Sequence, residues 1–234
     1  MDDDLIPIEV HTHTVRASVP SPRFRFPDPA SAMEDGALAA GGDFAPSTLI
    51  AAYRMGIFPW PHPEVEQLWF SPDPRATLPI GGLHVSRRLH RTLKSGRFRA
   101  TVDAAFTRVI NGCREREEGT WITPSLRDAY IRLHELGWAH SVEAWSEDGT
   151  LAGGLYGLGV GAMFGAESMF HSRSDGSKAA MVALDQYARR IGIELIDIQV
   201  LTEHTGRMGG VELPRAEYLA RLRAALRSEA RWLP

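Results

Sequence analysis

An acid and an amide stand two residues apart in a segment whose other residues are almost all apolar, IELIDIQVL at residues 193–201. If this segment is a strand, Asp197 and Gln199 project from the same face, because successive side chains on a strand alternate between faces. Burying both groups without partners would cost several kcal/mol. Two interpretations stay open: an internal hydrogen-bonded network, or a polar catalytic pair where the strand reaches a cleft.

A second acid follows a long uncharged, glycine-rich stretch. Glu167 lies in FGAESMF, directly after the uncharged residues 150–166. Glycines in a strand allow another backbone or a ligand to approach closely. Taken alone, Glu167 is equally well a charge at the end of a strand. Taken with Asp197 and Gln199, it favours a functional site.

Three tryptophans, Trp60, Trp69 and Trp121, lie beside prolines or next to a helix start. Aromatic side chains in such places more often cover a core. The alternative is a platform on which nucleobases stack, at about 1–3 kcal/mol per base.

A basic segment, HVSRRLHRTLKSGRFR at residues 84–99, has six cationic side chains and no acid. These are Arg87, Arg88, Arg91, Lys94, Arg97 and Arg99. A basic helix is usually a solvated face. In a chain of net charge −3, however, such a concentration is also a candidate phosphate-binding patch with salt-sensitive affinity.

Several other chemistries lack their motifs. His134 and His140 are not spaced as the HExxH zinc motif requires, and the lone Cys113 is a poor candidate nucleophile. GLYGLGVG does not continue as a dinucleotide-binding fingerprint, and no phosphate-binding Walker loop occurs. RSDGSKA comes near the coenzyme A loop of acetyltransferases but has Lys178 at its last position. We therefore expect no metal and no organic cofactor.

The composition is that of an ordinary globular protein. The 234 residues are 44% hydrophobic and 24% charged, enough for one large domain or two small ones. A single cysteine fits a reducing compartment, and the acidic start MDDDLIPIEV does not resemble a signal peptide. The uncharged stretch 150–166 is shorter than the roughly 20 apolar residues that a spanning helix needs. We expect a cytoplasmic protein without a membrane segment.

Start and stop signals predict helices at residues 46–56, 123–137, 177–192 and from 214 onward. A hairpin is expected around Asp148-Gly149. Residues 1–35 should be mostly irregular, and the proline-rich residues 57–75 should form an extended connector. This order predicts an α/β (α+β) fold with a small N-terminal domain, residues 1–73, and a larger domain, residues 74–234.

Several motifs, in order, resemble the leucyl/phenylalanyl-tRNA–protein transferase family: GIFPW, SPDPR, GTWIT, ESMF and ID-x-Q-V. The resemblance runs from about residue 36 to residue 222. It implies a small N-terminal domain joined to a larger one that resembles the GNAT acetyltransferases and has a central mixed sheet. The implied activity is transfer of Leu, Phe or, less well, Met from aminoacyl-tRNA to proteins with N-terminal Arg or Lys. That reaction feeds the bacterial N-degron pathway.

The resemblance also implies roles for individual residues. The reaction centre would be Glu167, Asp197 and Gln199. The tRNA 3′-terminal adenosine would be held by Trp60, Trp121 and Tyr130. The donor side chain would enter an apolar pocket of Leu155, Phe164, Leu184, Ala188 and Ile196. The acceptor stem of the tRNA would contact Arg87, Arg88, Arg91 and Lys94.

The chain departs from the family pattern at a few positions. Phe70 replaces a common Trp, Ala166 a common Gly before the glutamate, and Ile198 a common Cys, which argues against a thiol role there. Relatives often carry bulkier aromatic residues on the helix of Leu184 and Ala188, so the donor pocket could be roomier here.

On this basis we hypothesise that the Gln199 carbonyl accepts a hydrogen bond from the attacking amine. Asp197 would orient the Gln199 amide, and Glu167 would attract the basic terminal residue of the acceptor. Two rivals are an acyl-CoA N-acyltransferase on the same fold and a non-catalytic RNA-binding module. The imperfect coenzyme A loop counts against the first, and the polar trio has no purpose in the second.

Overall fold

The computed structural model describes residues 4–12, 14–62, 64, 67–115 and 120–232. Gly119, the first residue of GTWIT, lies outside this part, as do residues 63, 65 and 66 of the proline-rich connector. The strands are β1 (Ile8–Val10), β2 (Ala37–Ala40), β3 (Phe58–Pro59), β4 (Leu68–Phe70), β5 (Arg75–Leu78), β6 (Phe98–Val102), β7 (Ala139–Ser146), β8 (Leu151–Val160), β9 (Met163–His171), β10 (Leu195–Gln199) and β11 (Val211–Leu213). The α-helices are α1 (Pro46–Arg54), α2 (Arg87–Lys94), α3 (Phe106–Arg114), α4 (Pro124–Glu135), α5 (Gly176–Ile191), α6 (Glu203–Arg207) and α7 (Arg215–Ala225).

A large mixed sheet forms the centre of the molecule, with strand order β1-β6-β7-β8-β9-β10-β5-β11. Two pairs are parallel, β1 with β6 and β9 with β10, and the other pairs are antiparallel. One hydrophobic core packs α1, α3, α4 and α7 against this sheet, and a second core packs α2 and α5. The predicted fold class, with its central mixed sheet and small N-terminal domain, is confirmed.

The predicted helices form where their start and stop signals stand. Thr123 caps α4, since its side chain accepts a hydrogen bond from the Leu126 main-chain N–H. The last helix, α7, follows Pro214. Gly192 ends α5 in a left-handed conformation at φ 83°, which glycine adopts without strain. Among the described residues, no helix combines the length and the apolar character that crossing a bilayer requires.

The proline-rich connector is more ordered than the sequence predicts. It contributes β3 and β4 to a three-stranded sheet in which the central strand β4 pairs with β2 on one side and β3 on the other. Trp69 on β4 is fully buried, and its Nε1 donates to the Gly41 carbonyl at 2.9 Å. The prediction of a simple extended loop is therefore wrong, and Trp69 is a core residue. Prolines fit here because their missing N–H groups are tolerated on edge strands such as β3.

The lead-in is also partly ordered, because β1 pairs with β6 at the edge of the large sheet. Residues of the predicted first domain thus contribute a strand to the sheet of the second. A boundary between residues 73 and 74 stays a prediction.

Close backbone contacts explain two glycines that bring α5 onto β8. A Cβ on Gly153 would lie 2.5 Å from the Gly176 carbonyl carbon, and a Cβ on Gly176 would lie 2.0 Å from the Ala152 carbonyl oxygen. Neither distance is possible for a real side chain, so glycine is required on both sides. The first turn of α5 consequently lies directly against the sheet, where Ser177 reaches a large cavity.

Candidate active site

A cavity of about 1030 Å³ opens where β9 and β10 end. Its wall combines β3 of the small sheet and the following Trp60 with the end of α3, Trp121, the second half of β9, the inner face of α5 and the end of β10. Glu167 and Gln199 both lie in this wall. The cavity therefore brings together residues from both parts of the chain.

The end of β10 turns Gln199 into the cavity. Ile196 and Ile198 face the cavity, whereas the Asp197 side chain lies on the opposite, buried side. A register shift separates Asp197 from Gln199, and Gln199 has a left-handed backbone with φ 57°. Because of this change of backbone direction, Ile198 and Gln199 both line the cavity, whereas neighbouring residues on a regular strand face opposite sides.

The Glu167 carboxyl group is hydrogen-bonded by three side chains: Tyr53, Tyr130 and Gln199. The Tyr53 hydroxyl donates a hydrogen bond to Oε1, and the Tyr53 and Tyr130 hydroxyls are 2.6 Å apart. Gln199 Nε2 donates to the same Oε1 at 3.0 Å. Because the amide nitrogen is held by Glu167, the Gln199 carbonyl oxygen is the amide atom that can accept a hydrogen bond from a substrate.

The surroundings of Glu167 raise its pKa to about 7. Burial is the largest cause, since it disfavours the carboxylate, and the negative charge of Asp197 acts in the same direction. Hydrogen bonds from Tyr53 and Tyr130, and the positive charge of Arg75, oppose the rise. Glu167 therefore changes charge near neutral pH, where an ordinary glutamate would be fully ionised.

Asp197 is fully buried in an ion pair that the sequence did not predict. Arg75 Nε donates to Oδ1 at 2.9 Å and Nη2 donates to Oδ2 at 2.7 Å, and both side chains are within 1% of complete burial. The Tyr218 hydroxyl also donates to Oδ2, at 2.8 Å. Asp197 Oδ1 accepts from the main-chain N–H of Gln199 at 2.9 Å, so it contacts the Gln199 backbone rather than the side-chain amide that we hypothesised.

The two tryptophans that the family resemblance implies for adenosine both lie in the cavity wall. Trp60 is 41% exposed and packs on Phe58 and Phe70, with ring centroids about 6 Å apart. Trp121 is half-buried. Tyr130, the third candidate, is fully buried, and its hydroxyl belongs to the Tyr53–Glu167 network.

The apolar recess of the cavity contains three of the five residues predicted for the donor pocket, Leu155, Leu184 and Ile196. Leu78 and Met181 complete this wall and were not foreseen. Phe164 and Ala188 are completely buried in the adjoining core.

A family model described as leucyl/phenylalanyl-tRNA protein transferase matches residues 77–223, and the model of that family's N-terminal domain matches residues 42–73. The chain belongs to this family. It is accordingly an aminoacyl-tRNA–protein aminoacyltransferase.

Curated family members are similar over most of their length. A leucyl/phenylalanyl-tRNA–protein transferase of Anaeromyxobacter sp. (strain K) is 55% identical over 86% of this chain and 88% of its own. The protein of that name from Aromatoleum aromaticum is 52% identical over 84% and 85%. The solved structure of L-PGS from Bacillus licheniformis, 12% identical, covers 57% of this chain and 48% of its own with a TM-score of 0.38, too distant a likeness to bear on function.

In this transferase, the four cationic residues predicted for the acceptor stem form an exposed face of α2. The opposite face of the helix buries Leu89 and Leu93. Arg88 lies 3.4 Å from the Asp175 carboxylate, directly before α5. The basic face thus adjoins the end of α5 that reaches the cavity.

Sequence reasoning also missed three residues of the polar network around Glu167 and Asp197: Tyr53, Arg75 and Tyr218. Arg75 offered a signal, because it lies in the buried segment RATL and an arginine is almost never buried without an acidic partner. The neighbouring prolines concealed that strand. The two tyrosines offered no comparable signal, since each has the spacing of an ordinary core residue on its helix.

Proposed function

We propose that this enzyme transfers Leu, Phe or, less well, Met from aminoacyl-tRNA to the α-amine of proteins with N-terminal Arg or Lys. The product is a new peptide bond, and the reaction feeds the bacterial N-degron pathway in the cytoplasm. The observation that carries this proposal is the single cavity shared by Trp60, Trp121, an apolar recess, Glu167 and Gln199.

Each part of the cavity suits one part of the two substrates. The indoles of Trp60 and Trp121 suit the terminal adenine, because aromatic side chains stack on nucleobases. The recess of Leu155, Leu184 and Ile196 suits an apolar donor side chain. The ester bond would then lie beside Gln199, between the recess and the indoles.

The chemical step needs positioning more than it needs a strong base. The attacking α-amine has a pKa near 7.7–8.0, so a substantial fraction of it is neutral at neutral pH. In the proposed step the amine attacks the ester carbonyl carbon, and the bond to the tRNA 3′-terminal ribose oxygen breaks. The amine loses a proton and the ribose oxygen gains one. The Gln199 carbonyl accepts a hydrogen bond from the amine and aligns it, and such alignment can contribute several kcal/mol.

Glu167 gives the acceptor site its preference for basic termini. Its carboxylate lies in the cavity wall next to Gln199, so it can attract an Arg or Lys side chain while the amine meets the ester. Hydrogen bonds between charged groups are stronger than those between neutral groups. The ionised form of Glu167 is the active one in this role.

The direct test is incubation with leucyl-tRNA and a peptide that begins with Arg, followed by mass spectrometry. We expect a product heavier by one leucyl residue, attached at the N-terminus. The matched control is the same peptide with an acetylated α-amine, which should not react. Acetyl transfer from acetyl-CoA without leucyl transfer would instead favour an acyl-CoA N-acyltransferase, and tRNA binding without any product would favour an RNA-binding module.

Replacing Arg87 and Arg91 by alanine should weaken use of full-length aminoacyl-tRNA with little effect on kcat. Each lost phosphate contact should reduce the slope of log(kcat/KM) against log[salt] by about 1. The same variant should use a short 3′-aminoacyl-adenosine donor as well as the wild-type enzyme does. Arg223→Ala, which removes an exposed charge from α7, is the matched control. An unchanged salt slope would contradict a role for α2 in tRNA binding.

A further inference from the structure

Arg75 connects the two halves of the cavity wall from behind. It begins β5, which pairs with β10, and its guanidinium binds both oxygens of Asp197. Its Nη1 donates to the Gly56 carbonyl at 3.0 Å, two residues before Phe58 of β3. The guanidinium lies 4.6 Å from the ring centroids of both Phe58 and Tyr218.

These contacts join the segment that carries Trp60 to the strand that carries Gln199. Arg75 is completely buried, so water does not compete for these contacts. Two parallel N–H···O bonds also fix the orientation of the carboxylate, which a single contact would leave free to rotate.

The consequence for Gln199 comes through its main chain. A left-handed backbone is unfavourable for a residue with a side chain, and Gln199 adopts one at φ 57°. The Gln199 N–H is held at 2.9 Å by Asp197 Oδ1, the same oxygen that Arg75 Nε fixes. Arg75 therefore fixes the Asp197 oxygen that accepts the hydrogen bond holding this turn.

We propose that Arg75 is a positioning residue of the transfer reaction, acting through Asp197 to hold the turn that aims the Gln199 amide at Glu167 and the substrate. The inference rests on the proposed function, because it assumes that the Gln199 amide contacts the attacking amine. Asp197 is likewise a positioning residue, since its oxygens are occupied by Arg75, Tyr218 and the Gln199 main chain.

The charges around this pair support the same view. Asp197 acts to raise the pKa of Glu167 and Arg75 acts to lower it, so the ion pair also adjusts the acid in the cavity wall. If Arg75 and Asp197 served stability alone, apolar side chains could replace both residues without any effect on catalysis.

The test is a double-mutant cycle between Arg75→Lys and Gln199→Ala. Lysine keeps the positive charge but cannot form the two parallel bonds. Arg75→Lys should lower kcat by about 100-fold, with KM for aminoacyl-tRNA and for the acceptor peptide nearly unchanged, because small misplacement of a reacting group costs that much. In the Gln199→Ala background the same substitution should have almost no further effect, since the side chain that it positions is absent.

Tyr218→Phe is a second, milder variant in case Arg75→Lys fails to fold. It removes one hydrogen bond to Asp197 and keeps the ring that packs on the guanidinium. A severalfold loss of kcat that disappears in the Gln199→Ala background would support the proposal. Glu143→Gln is the matched control, because it converts another completely buried, hydrogen-bonded carboxylate on β7 and should leave kcat unchanged in both backgrounds.

The outcomes separate this inference from the proposed function. If the wild-type enzyme transfers leucine but the kcat losses of Arg75→Lys and Gln199→Ala multiply, Arg75 does not act through Gln199 and the inference is overturned. If the wild-type enzyme transfers nothing from leucyl-tRNA, the proposed function itself fails. Losses that appear only in KM would also overturn the positioning role.

Discussion

Gln199→Ala is expected to lower kcat for leucyl transfer by about 100- to 1000-fold, the usual cost of removing one placed hydrogen-bonding group from an active site. KM for leucyl-tRNA should change little, because the indoles and the apolar recess remain. The physical reason is that the Gln199 carbonyl is the amide atom left to meet the attacking amine while Nε2 is held by Glu167. Single-turnover kinetics with saturating leucyl-tRNA would measure the chemical step directly.

Gln186→Ala provides the matched control for this experiment. Gln186 on α5 is also a buried amide, with hydrogen bonds to Leu5 and Ile6, but it lies outside the cavity wall. Its removal should lower the thermal midpoint and leave kcat unchanged. If Gln199→Ala changed only KM for the acceptor, Gln199 would provide uniform binding and would have no part in the chemical step.

Glu167→Gln is expected to lower kcat/KM for acceptors with N-terminal Arg by about 10- to 100-fold at neutral pH, the range for a lost charged hydrogen bond. The pH profile should change as well. In the wild-type enzyme, activity needs ionised Glu167, with a pKa of about 7, and a neutral acceptor amine, so it falls as pH decreases through both pKa values. Below about pH 6, log(kcat/KM) should therefore fall with a slope near 2, whereas Glu167→Gln should show a slope near 1.

The raised pKa of Glu167 also predicts how stability depends on pH. The folded protein binds this proton more tightly than the unfolded chain, because its pKa of about 7 lies above the ordinary value of 4.5. The resulting stabilisation is complete below about pH 4.5 and is lost as pH rises through about 7. Glu167→Gln should therefore lose less thermal stability than the wild-type protein between pH 5.5 and pH 8. An identical loss in both, with identical slopes in the kinetic profile, would contradict a titrating Glu167.

Local signals in the sequence were sufficient for α1, α4, α5 and α7, and for the polar end of β10, but did not predict α3 or α6. Thr123 and Gly192 mark helix ends by properties of single residues, and these do not depend on distant parts of the chain. Asp197 and Gln199 stand out because an apolar strand offers no local reason for an acid and an amide. Their two different environments could not be inferred, since the register shift that separates them depends on pairing with β5.

Long-range partners account for what the sequence did not predict. The ion pair of Arg75 with Asp197 spans 122 positions, and the hydroxyl contact of Tyr53 with Tyr130 spans 77. No spacing rule reaches so far along a chain. Tyr130 illustrates the effect: an apolar helical pattern places it correctly in the core, but its hydroxyl contacts Glu167 and Tyr53, which lie on distant elements of the chain.

The most direct test of the central idea is a crystal structure of this enzyme with a stable 3′-phenylalanylamido-adenosine, in which an amide replaces the reactive ester. We predict the adenine against the indoles of Trp60 and Trp121, the phenyl ring against Leu155 and Leu184, and the amide carbonyl beside Gln199. An analogue bound with its adenine away from both indoles, or with its phenyl ring outside the apolar recess, would contradict the proposed substrate site.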